Sequence, residues 1–374
     1  VQRLAYSKEN GLLIIAYKNA NIDLLIGNTI FNLSDIKRKQ ISADKTINSI
    51  MFSGKLAYLS CGFGIVVINL ERKEIKDTYI IGDEGNYLNV LDIATDGNYL
   101  YAATADGIYK ASVSDPNLQN YNNWVKQANI PTTAKQFNQI EYYNSRIIAN
   151  GDKLYQFGST GWEAILPGIV DIKEISVTGN YLALTCSGNV LVYNSNLELA
   201  ANINKYSLSG VEKNNISPQS ATMDAQNTNW IADKNYGLIK VGTLHERIVP
   251  QCPVDNKIFS MTINEQDLWI ASGGRSEDWN NIWTSPKFQL QRNDNWSAYD
   301  SSLFPNTNNF SDIVCIAVDP NDPDHVFAGS WGGGILEFKA GKFVKRYDNY
   351  NSTLATQLPE QPAEPFVRIK RPGQ

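Results

Sequence analysis

Histidine is nearly absent: His245 and His325 are the only two in 374 residues. Metal centres and Ser-His-Asp triads draw on several histidines or on one well-placed one, so neither is favoured here. The four cysteines, Cys61, Cys186, Cys252 and Cys315, stand far apart and form no Cys-x-x-Cys, which removes support for a zinc ribbon or a thioredoxin-type site. Their spacing leaves pairing open, and lying at strand ends they read as small core residues. Long apolar runs are missing too. Stretches such as Leu12–Tyr17 and Ile65–Ile68 fall far short of the ~20 residues that span a bilayer. Cationic excess is absent: 33 Lys plus Arg against 38 Asp plus Glu give a net charge of −5. Nucleic acid and anionic membrane therefore have no electrostatic claim on the chain. No charged segment followed by an apolar one opens the sequence, and Val1 stands where Met would. The expectation is a mature or excised segment whose compartment its own residues do not fix.

What is abundant is strand. The chain is 43% hydrophobic, and one phrase recurs along it. The phrase is an apolar strand, a short polar turn, a second strand ending in a small residue, a Gly-containing turn and a third strand. LAYSKENGLLIIAYKNANIDLLI, VLDIATDGNYLYAATADGIYKASV and CIAVDPNDPDHVFAGSWGGGILEF are three of eight copies. Anchored at the end of the second strand, the copies fall on Ala16, Leu59, Ala103, Ala149, Thr185, Ala232, Ala271 and Gly329. The mean spacing of about 45 residues is the period of a four-stranded propeller blade, not of ankyrin, TPR or leucine-rich repeats. Fourth strands are read at Ile75–Ile81, Trp124–Ala128, Trp162–Leu166, Trp296–Tyr299 and Phe343–Tyr347. Several begin with Trp, which suits packing between neighbouring blades. The small residues closing the second strands are read as close sheet-to-sheet contacts. No stretch keeps a helical period, so helix content is expected to be very low.

The fold class is therefore all-β, a β-propeller of four-stranded antiparallel blades. Seven or eight blades fit, and eight repeats are counted. The propeller is expected over residues 1–348. Residues 349–374, punctuated by Pro359, Pro362, Pro365 and Pro372, read as a Pro-rich linker or tail with one short strand at Phe366–Ile369.

Recognition on such a scaffold belongs to long loops. The long insertions are the crossovers Asn129–Gln136, Lys205–Ser217, Val249–Lys257 and Asp300–Ser311, and one second-to-third loop, Ser272–Lys287. That loop carries Arg275, Trp279 and Trp283, and Trp331 lies in the equivalent turn of the next copy. Trp and Arg on loops serve glycan stacking or a protein hot spot. The competing reading is that these Trp side chains pin the loop to its own blade. Asp319 to Asp324, followed by His325, reads as a hairpin turn, since the alternating ligands and glycine of a calcium loop are missing. Gly332–Gly334 precedes a strand and has no following Lys-Ser/Thr, so it is no nucleotide loop. The run Lys37-Arg38-Lys39 reads as a solvated patch. No metal, no cofactor and no catalytic residue is assigned.

NIDLLIGNTIFNLSDIKRKQISADKTINSI, LAYLSCGFGIVVINLERKEIKDTYIIG, LWIASGG…WNNIW and AGSWGGGILEFKAGKF resemble the N-terminal β-propeller region of the PorZ family, a component of the type IX secretion system of Bacteroidetes. The resemblance implies a non-enzymatic, exported protein at the cell surface or periplasm, associated with the outer membrane. It implies secretion-system surface proteins as partners, with lipopolysaccharide or another glycan as a further contact. It also implies support for cleavage of cargo sorting signals and cargo attachment to lipopolysaccharide. Against that family pattern the chain is expected to be one excised module, beginning after the first propeller repeat and lacking a second propeller and a sorting domain. An alternative resemblance is to the periplasmic oligosaccharide-sensing propellers of hybrid two-component regulators.

Overall fold

The computed structural model describes residues 1–303 and 310–354. It divides into two compact units, Val1–Val249 and Pro250–Gln374. The first holds six blades and the second two, each a meander of four antiparallel strands in sequence order. Blade 1 runs Arg3–Ser7, Leu12–Ala16, Ile22–Ile26, Thr29–Leu33, and blade 2 runs Ile47–Ser53, Leu56–Cys61, Gly64–Asn69, Glu74–Tyr79. Blades 3 to 6 begin at Val90, Gln139, Glu174 and Pro218. Blade 7 runs Ser260–Asn264, Asp267–Ala271, Lys287–Arg292, Asn295–Asp300, and blade 8 runs Ile313–Asp319, Asp322–Ser330, Ile335–Lys339, Lys342–Tyr347. Eight blades settle the count. Helix is confined to the four residues Asp35–Arg38 and two 3-10 turns among the described residues.

The sheets stack because both faces of a blade are apolar. In blade 2, Ala57, Leu59 and Cys61 join Leu12, Ile14 and Leu24 of blade 1 in one core. Tyr58, Ile65 and Val67, the alternate residues, enter a second core with Leu100, Ala102 and Tyr109 of blade 3. A strand buried on both sides reads as a continuous apolar run, as these do. Similar cores lie between blades 3 and 4, 4 and 5, 5 and 6, and 7 and 8. Each fully buried Leu or Ile in them stabilises by about 1.5–3 kcal/mol.

A polar stitch repeats beside these cores. Near the start of the first strand in blades 1 to 5 and in blade 7 stands a side chain that bonds the backbone of the next blade's first strand. Arg3 donates through Nε to the Asn48 carbonyl. Asn48 Nδ2 donates to the Val90 carbonyl at 2.7 Å. Asp92 Oδ2 accepts from Ile140 N at 3.0 Å, Gln139 Oε1 from Ile175 N at 3.0 Å and Glu174 Oε2 from Ala221 N at 3.2 Å. In the second unit Ser260 Oγ donates to the Val314 carbonyl at 2.6 Å. Buried backbone groups need such partners, so the stitch fixes the register of one blade on the next.

Several expectations need correction. Lys205–Ser217 is not a plain crossover. Tyr206–Leu208 and Val211–Lys213 form a hairpin whose first strand pairs in parallel with His245, extending the sixth sheet to six strands. Ser209 and Gly210 turn it with φ of 50° and 77°, the doubly positive geometry of a type I′ turn. Ala232 is not a packing contact but faces solvent. Cys61 and Cys186 are buried, but Cys252 and Cys315 are exposed. Cys252 lies in a connection, and Cys315 points outward with Ala317 on the alternating face of its strand. Trp124 does pack between blades, against Tyr79, with its indole N–H on the Leu118 carbonyl. Trp162 is buried beside Phe157 of its own blade, whereas Trp296 is half-exposed. The expected strand at Phe366–Ile369 lies outside the described residues.

Candidate functional site: the loop between the second and third strands of blade 7

Residues 272–286 leave the sheet because they carry no strand period and are held by specific contacts instead. Gly273 donates its N–H to the Ile313 carbonyl at 2.8 Å. A Cβ there would sit 2.3 Å from that oxygen, so only glycine lets the chain run this close to blade 8. Ser276 then builds a turn. Its carbonyl accepts from Trp279 N at 3.0 Å, its Oγ accepts from Asn280 N at 3.0 Å, and its own N–H donates to the Asn280 carbonyl at 2.8 Å.

Asp312, fully buried just before blade 8, organises the far half of the loop. Its Oδ2 accepts from Ile282 N at 3.1 Å and Trp283 N at 3.0 Å. Its Oδ1 accepts from Thr284 N at 2.8 Å and Thr284 Oγ1 at 2.6 Å. The Asp312 carbonyl in turn accepts from Trp331 N at 2.8 Å. Asn281 Nδ2 donates to the Trp331 carbonyl at 2.7 Å.

This frame brings three of the four predicted residues into one stack. The Trp279 and Trp331 rings lie 5.5 Å apart at 54°, and Trp331 Nε1 donates to the Trp279 carbonyl at 2.9 Å. The Arg275 guanidinium lies 3.5 Å over the Trp279 ring and 5.7 Å from that of Trp331, within cation–π range of both. Among the described residues no carboxylate lies within ion-pair distance of Arg275. Trp283 joins through its backbone, by way of Asp312. Trp279 and Trp283 are 51% and 62% exposed. Their backbones have φ of 64° and 58°, a region that bulky residues seldom occupy. Ile282 and Phe259, both exposed, flank Gly274. The sequence reading missed Asp312, Ile282 and Phe259. A lone Asp before a strand and two apolar residues in loops carry no motif that would have marked them.

Other predicted features take ordinary roles. Asp319 pairs with Asp322 across the expected hairpin, and Asn321 N donates to Asp319 Oδ1 at 2.9 Å. His325 bridges Asp319 and Glu337 at 3.2 and 2.8 Å. Its pKa is raised, chiefly by the hydrogen bond to Glu337. Among the described residues no three His, Cys, Asp or Glu side chains are grouped to hold a metal. No described helix is long and apolar enough to cross a membrane.

Residues 1–125 match the family model of the PorZ N-terminal β-propeller domain of the type IX secretion system. That match ends in blade 3, short of the loop of blade 7. PorZ of Porphyromonas gingivalis, described as an essential bacterial surface component of that system, is a solved structure that the chain resembles. The two are 24% identical with a TM-score of 0.59, over 98% of this chain and 48% of PorZ. The chain thus spans about half the length of that PorZ, and the likeness shows the propeller fold. The extracellular domain of a putative hybrid two-component system of B. thetaiotaomicron aligns at 13% identity and a TM-score of 0.42, over 94% of this chain and 59% of that one. No curated protein matches.

Proposed function

We propose that the chain is a non-enzymatic recognition module of a type IX secretion-system surface protein, and that it docks a protein partner through Arg275, Trp279, Trp283 and Trp331. The carrying observation is that two large aromatics are held exposed on left-handed backbone, which costs about 1–2 kcal/mol per residue. A loop meant only to cover its own blade has no need of that strain, and such outliers gather at recognition sites. A stacking platform for sugar is supported less well, because Arg275 already covers one face of Trp279. Trp, Arg and flanking apolar side chains around one centre have the composition of a protein hot spot. The match over residues 1–125 supports the secretion-system setting, and with it an exported location at the outer membrane. The propeller is proposed to occupy residues 1–348, with 349–374 as its linker or tail.

The test compares the wild type with Trp279→Ala/Trp283→Ala in binding to purified secretion-system surface proteins and, separately, to lipopolysaccharide. The variant should bind the protein partner at least about tenfold more weakly with an unchanged melting temperature. Loss of lipopolysaccharide binding alone would move the site to glycan recognition. Unfolding of the variant would make these tryptophans structural.

A further inference from the structure

The connection between blades 1 and 2 does more than cross over. Residues 34–46 close a pocket of about 650 Å³ against the third and fourth strands of blade 2. Leu33, Ile36, Phe63 and Val66, all buried, form its floor. Ligand pockets of ~300–1,000 Å³ with apolar floors and a few polar groups are the usual size and character of small-molecule sites.

The walls are held before anything binds. The Lys45 ammonium donates to the Lys37 carbonyl at 3.2 Å and also to that of Lys39. Gly62 N donates to the Thr46 carbonyl at 2.9 Å. A Cβ on Gly62 would lie 2.6 Å from the Asp44 carbonyl oxygen, so the connection is seated tightly on blade 2.

The rim has an uncompensated sign. It carries Asp35, Lys39, Lys73 and Glu74. Both acids already face cations: Asp35 meets Arg38 at 3.7 Å and Glu74 meets Arg72 at 3.5 Å. Among the described residues no carboxylate lies within ion-pair distance of Lys39 or Lys73; the Lys73 ammonium sits 4.5 Å from the Phe31 ring centroid instead. The short run Lys37-Arg38-Lys39, solvated in isolation, thus stands across a pocket mouth from Arg72-Lys73.

We propose that this pocket binds a small amphipathic anion, an apolar chain ending in a carboxylate. The chain lies on the Leu33, Ile36, Phe63 and Val66 floor and the carboxylate meets Lys39 and Lys73 at the rim. The site is separate from the blade 7 loop and stands whether or not that loop docks a protein.

Calorimetry of the full chain with a saturated fatty-acid series tests it, with decanol, decyltrimethylammonium and acetate as controls. Affinity should grow about fourfold per added methylene until the cavity is full. Decanoate should bind more tightly than decanol or decyltrimethylammonium, acetate should not bind, and the preference for decanoate should shrink in high salt. Lys39→Gln/Lys73→Gln, with Lys39 exposed and Lys73 half-buried, should keep the fold and weaken decanoate about threefold to tenfold. Equal binding of decanoate and decanol overturns the assignment, as does an unchanged affinity in the double variant. So does the absence of saturable binding at any chain length. A peptide ending in a leucine carboxylate that binds where decanoate fails would make the site one for protein termini and also overturn it.

Discussion

Asp312 offers the sharpest test of how the blade 7 loop is held. Three backbone N–H groups and two hydroxyls, those of Thr284 and Ser311, converge on its carboxylate, at 2.6 to 3.3 Å. Hydrogen bonds to a charged acceptor contribute about 1.5–3 kcal/mol each. They share one acceptor, so they do not add in full. A total of about 3–5 kcal/mol for local order is a fair working value, against the strain at Trp279 and Trp283 of about 1–2 kcal/mol each. With the carboxylate gone the balance tips, and the loop should open without unfolding its blade, whose core lies elsewhere. In Asp312→Ala the amides of Ile282, Trp283 and Thr284 should exchange about 100-fold faster or more. The melting temperature of the second unit should fall far less than a core deletion would cause. Asp312 itself has φ of 51°, so alanine also adds backbone strain. Asp312→Gly removes that strain and the carboxylate together. If glycine restores slow exchange, the backbone conformation and not the carboxylate organises the loop. If neither variant speeds exchange at the three amides, the reasoning fails.

Three further outcomes follow. Burial pushes the Glu141 carboxyl up to about 8, helped by Asp92 and Glu174, and burial also raises Asp92 to about 6, against the backbone N–H of Ile140 and Ile93, the Ser49 hydroxyl and the charge of Arg3. A carboxyl raised in the folded state holds its proton more tightly there, so the first unit should lose stability as pH climbs from about 4.5 to 8. Glu141→Gln should flatten that slope and raise the melting temperature at pH 8 by about 2–4 °C, and a slope that persists removes Glu141 from the account. The raised His325 contributes stability that is present at low pH and lost as pH rises through its folded pKa. His325→Gln should therefore lower the melting temperature of the second unit at pH 5 and leave it unchanged at pH 9, as calorimetry would record. Gly64 has φ of 144°, and a Cβ there would sit 2.2 Å from the Tyr79 carbonyl oxygen, whereas Gly54, at φ 54°, has open space. Gly64→Ala should cost at least about 3 kcal/mol in denaturant unfolding and Gly54→Ala about 1 kcal/mol; equal costs would show that the steric contact is not what selects glycine.

The blades were legible because their physics is periodic. Ala16, Leu59, Ala103 and Ala149 recur about 45 residues apart because each sits fully buried at or near the end of a second strand, so these copies repeat one burial pattern. Where burial fails, the residue type misleads. Ala232 is as small as Ala149 yet faces solvent, because its strand alternates buried and exposed positions. The hairpin at Tyr206–Lys213 was missed although Ser209-Gly210 is a turn signal, because three residues per strand give too few positions for a period-two pattern.

The site divides along the same line. Arg275, Trp279 and Trp331 could be found, because large aromatics on a long loop stand out against a strand repeat. What holds them could not. Asp312 reaches the loop amides across 28 to 30 residues of sequence, and nothing in an Asp beside a strand says which amides it will meet. The pocket between blades 1 and 2 was hidden for the same reason. Lys37-Arg38-Lys39 and Arg72-Lys73 are unremarkable runs until the turn of blade 2 sets one opposite the other over an apolar floor. In a propeller the repeat fixes the frame, and function lies in the departures from it: the inserted loop and the crossover. Such departures are set by contacts between neighbouring blades, so they follow from the three-dimensional stacking of those blades and not from the pattern within any one of them.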